Sequence, residues 1–548
     1  MHLLLSLLFI LNLNFSDEDY TGKSQTFQTP TLVVGIMVDQ MRPDYIYRFW
    51  DHLGDNGFKR MVNDGFTFTN THFNYMPTST GPGHASVWAG STPSVHGVMG
   101  NSWFVRELSR SINVIEVPGY DAVGGTEDSD GAKAPSNMLT TTIGDELRLH
   151  TNNRSKVIGI SRKDRGAILP AGHMGDAYWY DSSTGHYITS TYYREELPDW
   201  LKEFNALNLP QQYLSEPWET LYPIETYIES IDDDNSYEGL IYGQEAPVFP
   251  HDLPGLMAEH DHNLGLLSNT PFSDKHLMRL AIAAIEGENL GGESLPDILA
   301  ISFSAIDAIG HRYGPASKEI QDAFIRLDSY LGTLLDYLEE NIGKENFLVF
   351  VTSDHGGLHV PEYLADQKIP AARINFSEYA ADLSNYVEST YGQNFIIAGG
   401  AYELFFDRDY IASQGLNLGE VQKDIARYLL HFDGVAGALA AETLITTEFT
   451  RGIPKIVQEG FNKKRSGDVM IWLEPKKYPS GGTTGTGHGS PWVYDTHAPM
   501  HWYGGVVSPG NSAVRTYITD IASTVATFLN SPFPSGNTGN PLIDYMKN

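Results

Sequence analysis

Four short runs of almost uninterrupted apolar residues constrain this chain more than any other feature: Leu32–Val38, Val157–Ile160, Ile298–Phe303 and Phe347–Val351. A bounded apolar run of four to eight residues is how a strand buried on both faces reads, and such strands sit in parallel sheets covered by helices. Helical patterns fall between the runs. Phe324, Leu327, Leu331, Leu334, Leu335 and Leu338 recur at spacings of three and four, and Gly343 supplies a stop. Further helices are predicted over about 276–285 and near 517–529. Strands alternating with helices predict an α/β fold, a doubly wound and mostly parallel central sheet flanked by helices.

The rhythm breaks twice, and both breaks read as cap insertions. Residues 176–270 are rich in Tyr, Trp, Pro and Asp; residues 376–480 carry an amphipathic helix (Val421, Ile425, Tyr428, Leu429) and a strand-like Val469–Leu473. The core is then expected in three parts, 30–175, 271–375 and 481–545. Residues 1–20 hold the apolar stretch Leu3–Leu13. It falls short of the roughly 20 residues that span a bilayer and fits the apolar region of a secretory signal. Export to the periplasm or the medium is the expectation. No later segment reads as a membrane span.

Charge and cysteine content narrow the chemistry. Against 68 Asp and Glu stand 36 Lys and Arg, a formal net charge of −32. Bulk charge therefore excludes nucleic acid and anionic membrane as partners. Cysteine is absent. Disulfides, thiolate zinc sites and thiol nucleophiles are excluded together, and any metal must rest on His, Asp and Glu.

Those residues fall where a ligand crevice should be. Asp39 ends the first apolar run. Asp307 and His311 follow the third, and Asp354-His355 follow the fourth. In an open α/β sheet the crevice lies at the carboxyl ends of the strands. One Asp after a strand is ordinarily a turn residue or a cap; three such groups at successive strand ends point to a metal. Mixed Asp and His ligation suits Zn²⁺. A second segment runs Thr80-Gly-Pro-Gly83-His84, then Gly90, Pro93, His96-Gly97 and Asn101. It places a hydroxyl at the start of a short helix, where free N–H groups favour an anion. By itself Thr80 reads as a helix cap, since threonine is a poor nucleophile until a base or metal takes its proton.

Thr80 with Gly83-His84, the Gly90, Pro93, His96-Gly97 run and Asn101 resemble the nucleophile segment of the alkaline phosphatase superfamily. The pattern is shared by its Thr-nucleophile phosphatases and by nucleotide pyrophosphatase/phosphodiesterases. His488, in Thr-Gly-Thr-Gly-His-Gly-Ser, is similar to the family's last metal ligand. The resemblance spans about 30–545. It implies two Zn²⁺ ions, one held by Asp39, Asp354, His355 and the Thr80 oxygen, the other by Asp307, His311 and His488. Asn101 and a backbone N–H near Thr80 would hold a phosphoryl oxygen. His84, His96, His359 and His497 would be structural or would support the ligands.

Ser161-Arg162-Lys163-Asp164-Arg165, followed by Gly172-His173, is similar to the Lys-x-Arg pair of PafA-type single-chain bacterial alkaline phosphatases. The resemblance implies that Lys163 and Arg165 bind substrate, with Arg162 left outside; a solvated basic turn is the other reading. Three aspartates, two dications and a Thr80 alkoxide sum to zero formal charge, which suits a diester. Lys163 and Arg165 would raise the sum to about +2, which suits a monoester dianion. Remote carboxylates are screened beyond about 8 Å at physiological salt, so the overall acidity does not forbid an anionic substrate.

The implied activity is hydrolysis of small-molecule phosphate monoesters through a phosphothreonine, by a monomeric enzyme. A phosphodiesterase on the same core is the alternative, and an inactive phosphate-binding relative the third reading. A sulfatase is excluded by the lack of its Cys or Ser motif. Asp232-Asp233-Asp234-Asn235 lacks a full Ca²⁺-loop spacing, and Glu259-His260-Asp261-His262 lies away from the strand ends; neither is assigned a role.

Overall fold

The computed structural model describes residues 29–127, 129–241 and 244–547. The expected signal at 1–20 lies outside these residues. An eleven-stranded sheet organises the chain. At its centre five strands run parallel, in the order Phe347–Thr352, Leu32–Val38, Asp297–Phe303, Val157–Ser161 and Asp176–Asp181. His497–Gly504 adds antiparallel to one side and pairs in turn with Phe66–His72; His186–Ser190 adds antiparallel to the other. The α/β expectation holds, and all four apolar runs are central strands.

The first strand explains why those runs are continuous. Leu32, Val34, Ile36 and Val38 pack into one hydrophobic core, whereas Val33 and Met37 pack into a second on the opposite face. With successive side chains pointing to opposite faces, a strand covered on both sides needs apolar residues at every position. Helices Phe272–Glu288 and Lys318–Asn341 supply much of the first core. Helices Thr80–Ala89 and Asp520–Phe528 cover the second. Gly35 lets the former come close: a Cβ there would lie 2.5 Å from both Trp88 and Phe350 side-chain atoms.

One segment departs from expectation. Residues 176–190, read as the start of an insertion, form two strands of the main sheet. Tyr178 packs into the core on one face and Ala177 and Trp179 into that on the other, so the aromatic content that suggested a cap is core filling. Residues 372–478 fold as a lobe with their own four-stranded sheet and core. It includes the helix Leu418–Leu429 and the strand Val469–Leu473. Tyr402 and Tyr478 of this lobe abut Gly489 and Gly487, on either side of His488. Among the described residues no helix is long and apolar enough to cross a membrane.

Candidate active site

Adjacent parallel strands bring the acids together. Asp39 follows Val38, Asp354 follows Thr352, and the helix Ala305–Tyr313 after Phe303 carries Asp307 and His311 on successive turns. Two groups have ligand atoms within 4.8 Å of one another: Asp307, His311 and His488, and Asp39, Asp307 and His355. Asp307 belongs to both. Asp354 stands beside the second group, with its Oδ2 3.7 Å from His355 Nε2.

Three histidines are oriented alike. Nδ1 of His311 donates to the Thr486 carbonyl (2.8 Å), Nδ1 of His488 to that of Thr78 (2.8 Å) and Nδ1 of His355 to that of Gly356 (2.9 Å). Each Nε2 then faces the carboxylates: 3.1 Å from Asp307 Oδ1 for His311, 3.8 Å for His488, and 3.4 Å from Asp39 Oδ1 for His355. Tying one ring nitrogen to a carbonyl fixes the tautomer and aims the other lone pair, as metal-ligating histidines require.

The charges fit a cation. Burial, with Asp307 and Asp354 nearby, pushes the Asp39 carboxyl up to about 7, and burial pushes Asp354 up to about 6. Burial also disfavours the charged forms of Asp307 and His311, but their mutual attraction outweighs it. His311 and Lys163 hold Asp307 well below the usual carboxylate range, and Asp307 lifts His311 to about 9. Burial lowers His355 and His488, leaving their nitrogens as neutral donors. Asp39 Oδ1, Asp354 Oδ2 and His355 Nε2 are buried without a hydrogen-bond partner. Buried polar atoms are ordinarily paired, and these three converge on one point among Asp and His side chains, so the trio with the donor set around it fits divalent metal.

Thr80, 1% exposed, begins the helix Thr80–Ala89. Its surroundings are tied to the acids. His84 Nδ1 meets the Thr80 carbonyl at 2.8 Å and lies 3.5 Å from Asp354 Oδ2, while its Nε2 meets Ser302 Oγ at 2.7 Å. Burial lowers His84 to about 4, so it acts as a neutral strut. Gly81 N–H donates to Asn101 Oδ1 (2.7 Å). That N–H is therefore spent on Asn101, which leaves the Asn101 amide N–H groups for a ligand. At Gly83 a Cβ would lie 2.3 Å from the Asp354 carbonyl oxygen. Gly83→Ala is expected to displace Asp354 and lower activity by at least about tenfold, together with a reduced Tm, since overpacking costs on the order of 1–3 kcal/mol. Steady-state rates and thermal unfolding would check this.

Lys163 precedes the helix Asp164–Ala171, and Ser161 Oγ accepts its backbone N–H at 3.1 Å. From this turn Lys163 Nζ reaches Asp39 Oδ2 and Asp307 Oδ2, both at 2.5 Å. It is a buried ion-paired lysine inside the acid cluster rather than a solvated turn residue. Arg165 Nη1 lies 3.7 Å from Asp164 Oδ1, and Asp164 is itself held by Lys133 at 2.8 Å. Arg162, expected outside, is close enough to Asp307, Asp39 and Asp274 to feel their charge.

Two residues escaped the sequence reading. Asp274 is 2% exposed and accepts the N–H groups of Ser304 and Ala305 at 3.0 and 3.1 Å, capping the helix that carries Asp307. It belongs to no motif and lies far upstream. Gln40 donates to both Asp354 and Asp307; adjacency to Asp39 was its only sequence signal. His96 pairs with Ser86 at 2.9 Å, and His497 stacks on His72 where their two strands meet end to end in the ladder, so neither reaches the acid cluster. The His359 ring lies 5.6 Å from that of Tyr363, tilted by 43°.

Residues 33–499 match the family model for type I phosphodiesterase / nucleotide pyrophosphatase. Alkaline phosphatase PhoV of Synechococcus elongatus is 40% identical over 95% of this chain and 94% of its own. A Myroides odoratus protein named calcium-transporting ATPase is 40% identical over 96% of each. Alkaline phosphatase PafA of Elizabethkingia meningoseptica is 37% identical over 96% of each. Its crystal structure superposes with a TM-score of 0.90, covering 94% of this chain and 98% of that one. A second crystal structure of that enzyme carries replacements of a Thr, an Asn, a Lys and an Arg spaced 21, 62 and 2 residues apart.

Proposed function

We propose, for a chain that belongs to the type I phosphodiesterase / nucleotide pyrophosphatase family and within it to the alkaline phosphatases, a zinc-dependent phosphate-monoester hydrolase. It would work through a phosphothreonine at Thr80 and release inorganic phosphate. That the chain is a phosphate-monoester hydrolase follows from its relatives; zinc, the phosphothreonine and the residue roles are our reading. The observation that carries it is the meeting of Lys163 with Asp39 and Asp307 beside the Thr80 helix. The spacing Thr80, Asn101, Lys163, Arg165 is also 21, 62 and 2, the same as in the substituted enzyme.

Asp39, Asp354 and His355 with the Thr80 oxygen would hold one ion, and Asp307, His311 and His488 the other. Bound there, two zinc ions would supply Lewis acidity toward the Thr80 hydroxyl, the leaving oxygen and the second-step water. The chain's own residues supply the rest. The Thr80 Oγ1–P bond forms in line as the P–O bond to the leaving group breaks, and the proton given up by the Thr80 hydroxyl is balanced by the one the leaving group takes from solvent to depart as the alcohol. Water then attacks the phosphothreonine and returns Thr80. Asn101 N–H, the Lys163 ammonium and the Arg165 guanidinium bind the equatorial oxygens, where fixed donors act without reorganisation. An ATPase also frees inorganic phosphate, so the hydrolytic half of that relative's name fits the same chemistry. Export, read from residues 1–20, and a monomeric state belong to this proposal.

Phosphodiester hydrolysis is the second reading, favoured by the description of the matched family. Rates on p-nitrophenyl phosphate and its bis ester separate the two. Faster monoester cleavage is expected, and Lys163→Ala should cut it by about 10²–10³-fold while affecting the singly charged diester less. Faster diester cleavage by the unmodified enzyme would sink the monoesterase reading.

A further inference from the structure

We propose that Gln40 is a positioning residue that sets the two metal groups relative to each other by holding one carboxylate of each; this rests on the metal reading above. Gln40 is 1% exposed and adopts the left-handed conformation, with φ 61°. That conformation is uncommon for a residue other than Gly, Asn or Asp, and strain of this kind concentrates where function needs a particular geometry. Here it lets one residue face two ways. The backbone N–H donates to Asp354 Oδ1 at 3.1 Å, and the side-chain Nε2 donates to Asp307 Oδ1 at 2.9 Å. The two acceptors lie 314 and 267 residues downstream.

Each bond selects an orientation. Asp354 is held through Oδ1, which leaves its buried Oδ2 toward His355. Asp307 is held at Oδ1, the oxygen 3.1 Å from His311 Nε2, while its Oδ2 takes Lys163. A carboxylate oxygen has two lone pairs, so the Gln40 bond leaves one on Oδ1 for a cation.

Both metal segments make room for the amide. A Cβ at Gly310, between Asp307 and His311, would lie 2.1 Å from Gln40 Oε1; one at Gly357, just after Asp354-His355, would lie 3.1 Å from Gln40 Cγ. Gln40 Oε1 has no hydrogen-bond partner. The amide is thus a spacer wedged between the two ligand segments. In a two-metal site the ions clamp the attacking and leaving oxygens, so their separation matters to the reaction.

Gln40→Gly is the sharp test. Glycine keeps the N–H to Asp354 and accepts the positive φ at no steric cost, so the backbone bond stays while the whole wedged side chain, with its amide bond to Asp307, is lost. Metal-stripped enzyme would be titrated with zinc against a chelating competitor. One equivalent should bind about 10–100-fold more weakly than in the wild type, while the metal-free protein still unfolds in a single cooperative transition. Gly310→Ala keeps Gln40 but drives a methyl against it, and should weaken the same equivalent. If Gln40→Gly binds both equivalents within about twofold of wild type, Gln40 only fills space and the proposal falls. Wild-type enzyme that takes up no zinc would instead overturn the metal reading, and the proposal with it.

Discussion

Thr80→Ala is expected to lower phosphate-monoester turnover by at least about 10⁴-fold while leaving metal bound, because loss of a nucleophile removes a covalent pathway that the rest of the site cannot replace. The structure makes this a clean deletion. Thr80 sits on backbone bonds that do not involve its hydroxyl: its carbonyl takes His84 Nδ1, the next N–H goes to Asn101, and Ser79 O accepts Gly83 N–H at 2.9 Å. Alanine fits the same helical position. The six Asp and His side chains assigned to metal keep their contacts, so metal content should fall little. Thr80→Ser should retain most of the activity. Acid-quenched enzyme should yield a phosphorylated protein only when a hydroxyl stands at position 80. A rate for Thr80→Ala within tenfold of wild type would remove Thr80 as nucleophile.

Much of this centre was legible in the sequence because it sits where strands end. A strand covered on both faces must be apolar at every position, so Asp39, Asp307 and Asp354 stand out as the first charges after long apolar runs. What the sequence could not carry was anything depending on distance. Nothing in Ser161-Arg162-Lys163-Asp164-Arg165 tells which long side chain turns inward; the structure sends Lys163 into the acids and brings Arg162 near them too. Asp274 caps a helix 30 residues downstream, and no local pattern marks such a partner. Gln40 hides for another reason: glutamine rarely takes positive φ, so its conformation is imposed by the two carboxylates and two glycines that close around it. Residues 176–190 were misplaced because aromatic side chains serve equally in a cap and in a core, and only strand pairing distinguishes them.

Removal of metal is expected to abolish activity entirely, with recovery on adding zinc, and the pH dependence of both rebinding and stability has a definite sign. Before a cation enters, Asp39, Asp354 and His311 hold protons up to about pH 7, 6 and 9. The cation must displace those protons, so apparent affinity should climb from about pH 6 to 9 and level off above. Stability follows from the same groups. Asp39 and His311 have folded-state values raised above their ordinary ones, so each stabilises the metal-free fold at low pH and loses that contribution as pH rises through about 7 and 9. His355 and His488 are lowered by burial and are neutral in folded and unfolded chains alike above about pH 7, so they do not offset the loss there. Asp307 is ionised in both states across this range. The metal-free protein should therefore weaken between pH 7 and 9. Bound metal keeps the same ligands deprotonated and paired at either pH, so the Tm gap between metal-loaded and stripped enzyme should widen over that interval. Thermal unfolding of both forms at pH 7, 8 and 9 reads this directly. A gap that narrows with rising pH would mean that the Asp307–His311 attraction does not govern the empty centre, and that the acids are neutralised there by Lys163 instead.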